Sequence, residues 1–102
     1  MEYGKVQISS EFEKWLKNLK DLNGKSAITR RIQNLKNNGH FGDHKHITGQ
    51  IFEMRIHTGA GYRLYMAKRG EVLVILLCGG NKSTQQKDIM RAQKILKDYP
   101  CP

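Results

Sequence analysis

Apolar positions recur at two different periods along the chain, and the change of period separates a helical part from a strand part. In "SSEFEKWLKNLKDLNG", Phe12, Trp15, Leu16, Leu19 and Leu22 fall at i, i+3, i+4, i+7 and i+10, which is one stripe of a helix. Ser10 with Glu13 three residues on has the pattern of a capping box, and Gly24 is the expected stop. A second stripe of Ala27, Ile28, Ile32 and Leu35 runs to about Gly39, so the pair predicts an antiparallel helical hairpin. Ahead of it, "MEYGKVQI" alternates weakly and predicts a short first strand.

The helical period stops at "NNGHFGDHKHITG", which reads as a polar loop leading into a strand. From Gln50 the period is two, and "QIFEMRIH", "GYRLYMAKR" and "EVLVILLC" predict three consecutive strands joined by links short enough for antiparallel hairpins. Parity puts Phe52, Met54 and Ile56 with Tyr62, Leu64 and Met66 on the face that the helices cover. Glu53, Arg55, His57, Arg63 and Tyr65 are left on the other. The third strand is apolar on both faces, as a central strand is. Beyond it Ser83 and Gln86 form a second capping-box pattern, opening a final helix whose inward stripe is Ile89, Ala92 and Leu96. The expected fold is α+β: a short strand and helical hairpin on a mainly antiparallel sheet, with a C-terminal helix, in a single domain over residues 1–102.

With 38% apolar residues the chain has a core to bury, and its longest apolar run, Val72 to Cys78, is far too short to span a bilayer. No leader pattern opens the sequence, so a cytoplasmic protein with no membrane association is expected. Cys78 and Cys101 do not resemble a disulfide framework. His40, His44 and His46 stand near Asp43, yet no second cluster supplies the missing ligands, and neither metal nor cofactor is expected. Charge changes the picture more: 18 Lys and Arg against 9 Asp and Glu give +9, which suits a polyanion or an acidic partner.

"LVILLCGGNKSTQQKDI" has the strand, glycine and helix context of a phosphate-binding loop, but Leu76 and Asn81 stand where that loop needs glycines. Its two glycines read instead as a turn off the central strand. The polar sheet face offers different chemistry, because two arginines on rigid strands can grip a phosphate by paired hydrogen bonds. It is equally the pattern of a solvated face on which Glu53 pairs with an arginine of the neighbouring strand.

The stretches "E-x-R-I-x-x-G-x-G-Y-R-x-Y" and "L-L-x-G-G-x-K-S-x-Q-x-x-D-I-x-x-A", with "EFEKWLKNL" and "RRIQNLKNNGHFGD" before them, resemble the RelE/ParE toxins of type II toxin–antitoxin systems. More narrowly, the chain is similar to the HigB-like group known as addiction module killer proteins. That resemblance implies a ribosome-dependent, metal-independent messenger RNA endoribonuclease, neutralised by a cognate antitoxin, commonly a helix-turn-helix protein encoded beside it. It places Arg63 and Lys82 at the family's phosphate-contacting positions, with Arg55 on the same face, Glu53 as candidate general base and His57 as a weaker one. Lys45, His46, His57, Tyr65 and Lys87 are then candidate RNA contacts. Many relatives carry a His or Tyr near the chain end as acid or base, where "KDYPCP" offers only Tyr99. ParE-like relatives share the fold but inhibit DNA gyrase without cleaving RNA, so the fold leaves that alternative target open.

Overall fold

The order of elements is β1 (Lys5–Ile8), α1 (Ser10–Asn18), α2 (Leu22–Asn38), β2 (His44–Thr48), β3 (Ile51–Ile56), β4 (Tyr62–Arg69), β5 (Leu73–Asn81), a single 3-10 turn (Lys82–Thr84) and α3 (Gln85–Leu96). The computed structural model describes residues 5–70 and 73–99. Residues 1–4, Val72 and Cys101, which the sequence assigns to the first strand, the last predicted strand and the tail, lie outside them.

The strands form one sheet in the order β1-β5-β4-β3-β2, parallel only between β1 and β5. β5 therefore has a strand on each side, which its two-sided apolar pattern anticipates. Phe12, Ile28, Ile32 and Leu35 of the first two helices close over Met54, Ile56, Tyr62, Leu64, Met66, Val74 and Leu76. On the opposite face α3 lays Ala92 and Ile95 over Ile51, Tyr65, Ala67, Ile75, Leu77 and Cys78. A bulge connects the two packings: β4 pairs Met66 with Leu76 but Tyr65 with Cys78, so Leu77 is the extra residue. Leu77 and Cys78 consequently both serve the α3 side, and one hydrophobic strand feeds two cores.

The structure corrects several expected boundaries. Ser9, not Ser10, caps α1, accepting from the Phe12 amide, and its hydroxyl also donates to the Leu77 carbonyl. Gly24 does not stop a helix; it lies in the first turn of α2, which Asp21 caps by accepting from the Gly24 amide. Glycine is needed there because a Cβ would overlap the Tyr62 ring. The supposed loop at His44–Thr48 is an edge strand, polar on most positions and hence without the alternation that marks a strand. Gly79 and Gly80 are likewise inside β5 and make no turn. Trp15 packs where a Gly79 side chain would be, and the Asp88 carboxylate where a Gly80 side chain would be. The cap after β5 is Asn81 with Thr84, in place of Ser83 with Gln86.

Candidate functional site

Arg55 and Arg63 are direct partners across β3 and β4 and point to the same face. Two guanidinium groups so placed repel each other, and a carboxylate between them removes the conflict. Glu53, two residues before Arg55 and only 1% exposed, brings Oε2 within 3.0 Å of Arg55 Nε and 3.1 Å of Arg63 Nη1. Gln85 at the start of α3 donates to its other oxygen at 3.1 Å. Glu53, the candidate general base, is thus buried and bonded on both oxygens, where it anchors the two arginines. The pairing with a neighbouring strand is present, but it serves to fix the arginines at the edge of a cleft.

That cleft, about 310 Å³, is lined by Arg55, His57, Arg63 and Lys82 together with Ile56, Tyr62 and residues 59–61. Lys82 arrives from the end of β5, because Arg63 pairs with Gly80 and Tyr62 with Asn81 and the turn that carries Lys82 follows at once. The Asn81 side chain accepts from the Ser83 amide at 2.9 Å and holds the 3-10 turn that carries Lys82. Gly61, at φ +74, lies against the Lys82 side chain in a conformation that L residues avoid. Three cations from two hairpin strands and one turn therefore border one space.

A second pair stands on the rim. His57 Nε2 lies 2.6 Å from Asp43 Oδ2, and Asp43 Oδ1 is 4.0 Å from Arg55 Nη1. The hydrogen bond from His57, helped by the Arg55 and Arg31 charges, holds the Asp43 carboxyl below the usual carboxylate range. Arg31, reaching from α2, donates to the carbonyls of Arg55 and Phe41, each at 2.6 Å, and to that of Asp43 at 3.2 Å. The helical pattern alone puts Arg31 on a solvated face, and the sequence offers Asp43 only as a metal ligand beside the histidines. That clustering is the one sequence signal for Asp43; for Arg31 there is none.

The other candidates are spread apart. Tyr65 is 0% exposed beneath α3, with no hydrogen-bond partner for its hydroxyl among the described residues, and burial pushes its phenol well up. It presents no ring face on which a base could stack. Lys45 is exposed opposite Glu53 at the sheet edge, while His46 belongs to the other face, its ring 4.9 Å from Phe52. Lys87 is exposed in the first turn of α3, and Tyr99 packs on the α3-side core, away from the cleft. Among the described residues no three His, Cys, Asp or Glu side chains converge as metal ligands; His44 and His46 instead meet the Gly42 and Gly49 carbonyls at 2.8 Å each.

The model of the phage-derived protein Gp49-like family matches residues 14–98, nearly the whole of the described fold. The chain belongs to the Gp49-like family. This Gp49-like chain is 46% identical over 93 residues to an uncharacterised protein of Haemophilus influenzae, covering 91% of the one and 93% of the other. Among solved structures it is similar to a mutant of the Escherichia coli toxin RelE in the free state, at a TM-score of 0.69 over 92% of this chain and 97% of that one. Sequence identity there is 14%, so what the Gp49-like chain shares with that toxin is the RelE fold. No described helix of the Gp49-like protein is long and apolar enough to cross a membrane.

Proposed function

We propose that this Gp49-like protein is the toxin of a type II toxin–antitoxin pair, of the HigB-like kind, and that it cleaves messenger RNA on the ribosome. The observation that carries this reading is the convergence of Arg55, Arg63 and Lys82 on one cleft, with both arginines held by a single buried carboxylate. Cleavage by the RNA's own 2′-hydroxyl needs the strand aligned for in-line attack and the extra charge of the phosphorane neutralised. Arginines fixed before the substrate arrives supply that stabilisation without reorganising during the reaction. Lys82, on a more exposed turn, faces the same phosphate or its neighbour. In this reading the partner is a cognate helix-turn-helix antitoxin whose acidic segment neutralises part of the +9 charge.

The test uses purified ribosomes, a defined transcript and primer extension. Wild-type protein is expected to cut within the reading frame, Arg63→Ala to lower the rate by about 10²-fold, and Arg63→Ala with Lys82→Ala to abolish it. Intact transcripts with wild-type protein would sink the nuclease reading. The ParE-like alternative predicts a different result, with transcripts uncut and gyrase supercoiling lost when the protein is added.

A further inference from the structure

The three cations account for the phosphate, and Glu53 is committed to holding the two arginines, which leaves the 2′-hydroxyl proton without an acceptor. We infer that His57, oriented by Asp43, is the general base of the cleft; this rests on the nuclease reading above. His57 follows the last residue of β3, and it lines the cleft with Arg55, Arg63 and Lys82. A carboxylate only accepts, so at 2.6 Å from Asp43 Oδ2 the His57 Nε2 carries the ring proton, and the lone pair of the neutral ring is on Nδ1.

Asp43 is a positioning residue, and several interactions fix its own place. The Arg31 guanidinium ties the carbonyls of Phe41 and Asp43 to that of Arg55, and the Arg55 amide donates back to the Asp43 carbonyl at 2.8 Å. Gly42, at φ +67, lies so close to the Arg31 guanidinium that a side chain there would meet it at 2.6 Å. The segment before β2 is thereby pinned to β3 at Arg55, one of the arginine pair. Charged groups around His57 are Asp43, Arg55 on the other oxygen of the same carboxylate, Arg63 and Lys82 lining the same cleft, and Arg31 behind Asp43. Asp43 is the carboxylate set against those cations when the ring takes up a proton.

In the step itself, the 2′-hydroxyl proton passes to Nδ1 as the 2′-oxygen bonds to phosphorus. The bond from phosphorus to the 5′-oxygen then breaks, and that oxygen takes a proton from water. The imidazolium returns its proton to solvent, so nothing is oxidised or reduced and the products are a 2′,3′-cyclic phosphate and a 5′-hydroxyl.

Single-turnover cleavage of a ribosome-bound transcript tests this, with urea denaturation confirming that each variant folds. His57→Gln is expected to lose about 10²-fold in rate and the acid limb of the pH–rate profile. His57→Ala should regain part of its activity on addition of imidazole, which would not repair a structural defect. Asp43→Asn should slow cleavage about tenfold and displace the same limb, since the ring loses its orienting carboxylate. A substrate with sulfur bridging at the 5′ position, whose leaving group needs no proton, should leave the His57→Gln deficit in place. Recovery on that substrate would overturn the base role in favour of an acid role. If His57→Gln cuts at the wild-type rate with an unchanged pH profile while Arg63→Ala is inactive, the base assignment fails and the nuclease reading stands. If the wild-type protein cuts nothing, both fail.

Discussion

Like charges placed directly opposite on adjacent strands destabilise a sheet, and Arg55 facing Arg63 would do so without Glu53. Glu53→Gln is nearly isosteric but removes the charge from a buried site that holds two guanidinium groups. It is expected to cost about 2 kcal/mol, read as a lower urea midpoint, and to reduce cleavage by freeing Arg63. Parity puts Glu53 on the correct face, but whether that face is open depends on where α3 docks, some 30 residues further on in the chain, and the same omission makes Tyr65 look exposed. A second residue-scale prediction concerns acid. Asp21 caps α2 through the Gly24 amide and accepts from the Tyr62 hydroxyl at 2.8 Å, and these bonds lower its pKa from 3.8. Because the folded value is the lower one, the unfolded chain binds more protons in that range, and the stabilisation is present above about pH 4 and lost on acidifying further. Tm measured from pH 6 down to pH 2 should fall less in Asp21→Asn than in the wild type.

At the scale of elements, the cap after β5 links stability to chemistry. Asn81→Ala removes the acceptor that holds the Ser83 amide and is expected to cost about 1 kcal/mol. The same change should lower cleavage more than binding, because Lys82 would lose its fixed approach to the cleft; comparing kcat with KM checks this. The amphipathic helices and the three inner strands are legible in the sequence because a buried stripe imposes its own period. β2 is not, since an edge strand with mostly exposed positions carries little apolar signal. Gly24, Gly79 and Gly80 mislead for a related reason: glycine marks a turn when seen alone, but here each makes room for a side chain from another element. The capping patterns are off by one or two residues, because several side chains able to accept near each helix start fit the motif, and at α1 the packing of Ser9 against the Leu77 carbonyl selects among them.

For the whole molecule, the proposed function together with a charge of +9 predicts an RNA affinity that depends steeply on salt. Removing one cation that neutralises a phosphate should reduce the slope of log K against log salt by about 0.7 for a single strand. Lys82→Ala and Arg63→Ala are therefore expected to flatten it by about that amount each, and Lys36→Ala on the far end of α2 to leave it unchanged; titrations at several salt concentrations measure this. Exposed lysines and arginines are spread over all three helices, and what the fold adds is the convergence of Arg55, Arg63 and Lys82 on one cleft, which composition alone does not reveal.

The parallel pairing of β1 with β5 also sets an order in time. β1 is synthesised well before β5, yet its register runs from Lys5 with Leu73 to Ile8 with Leu76, and the Ser9 hydroxyl waits for a carbonyl 68 residues away. Pairings so distant in sequence close late and slowly. Lys82 follows β5 directly, so the third cation and the completion of the sheet arrive together. A growing chain already carries both arginines but has nothing finished with which to hold a phosphate. The cleft is therefore complete only once the last strand of the sheet is in place.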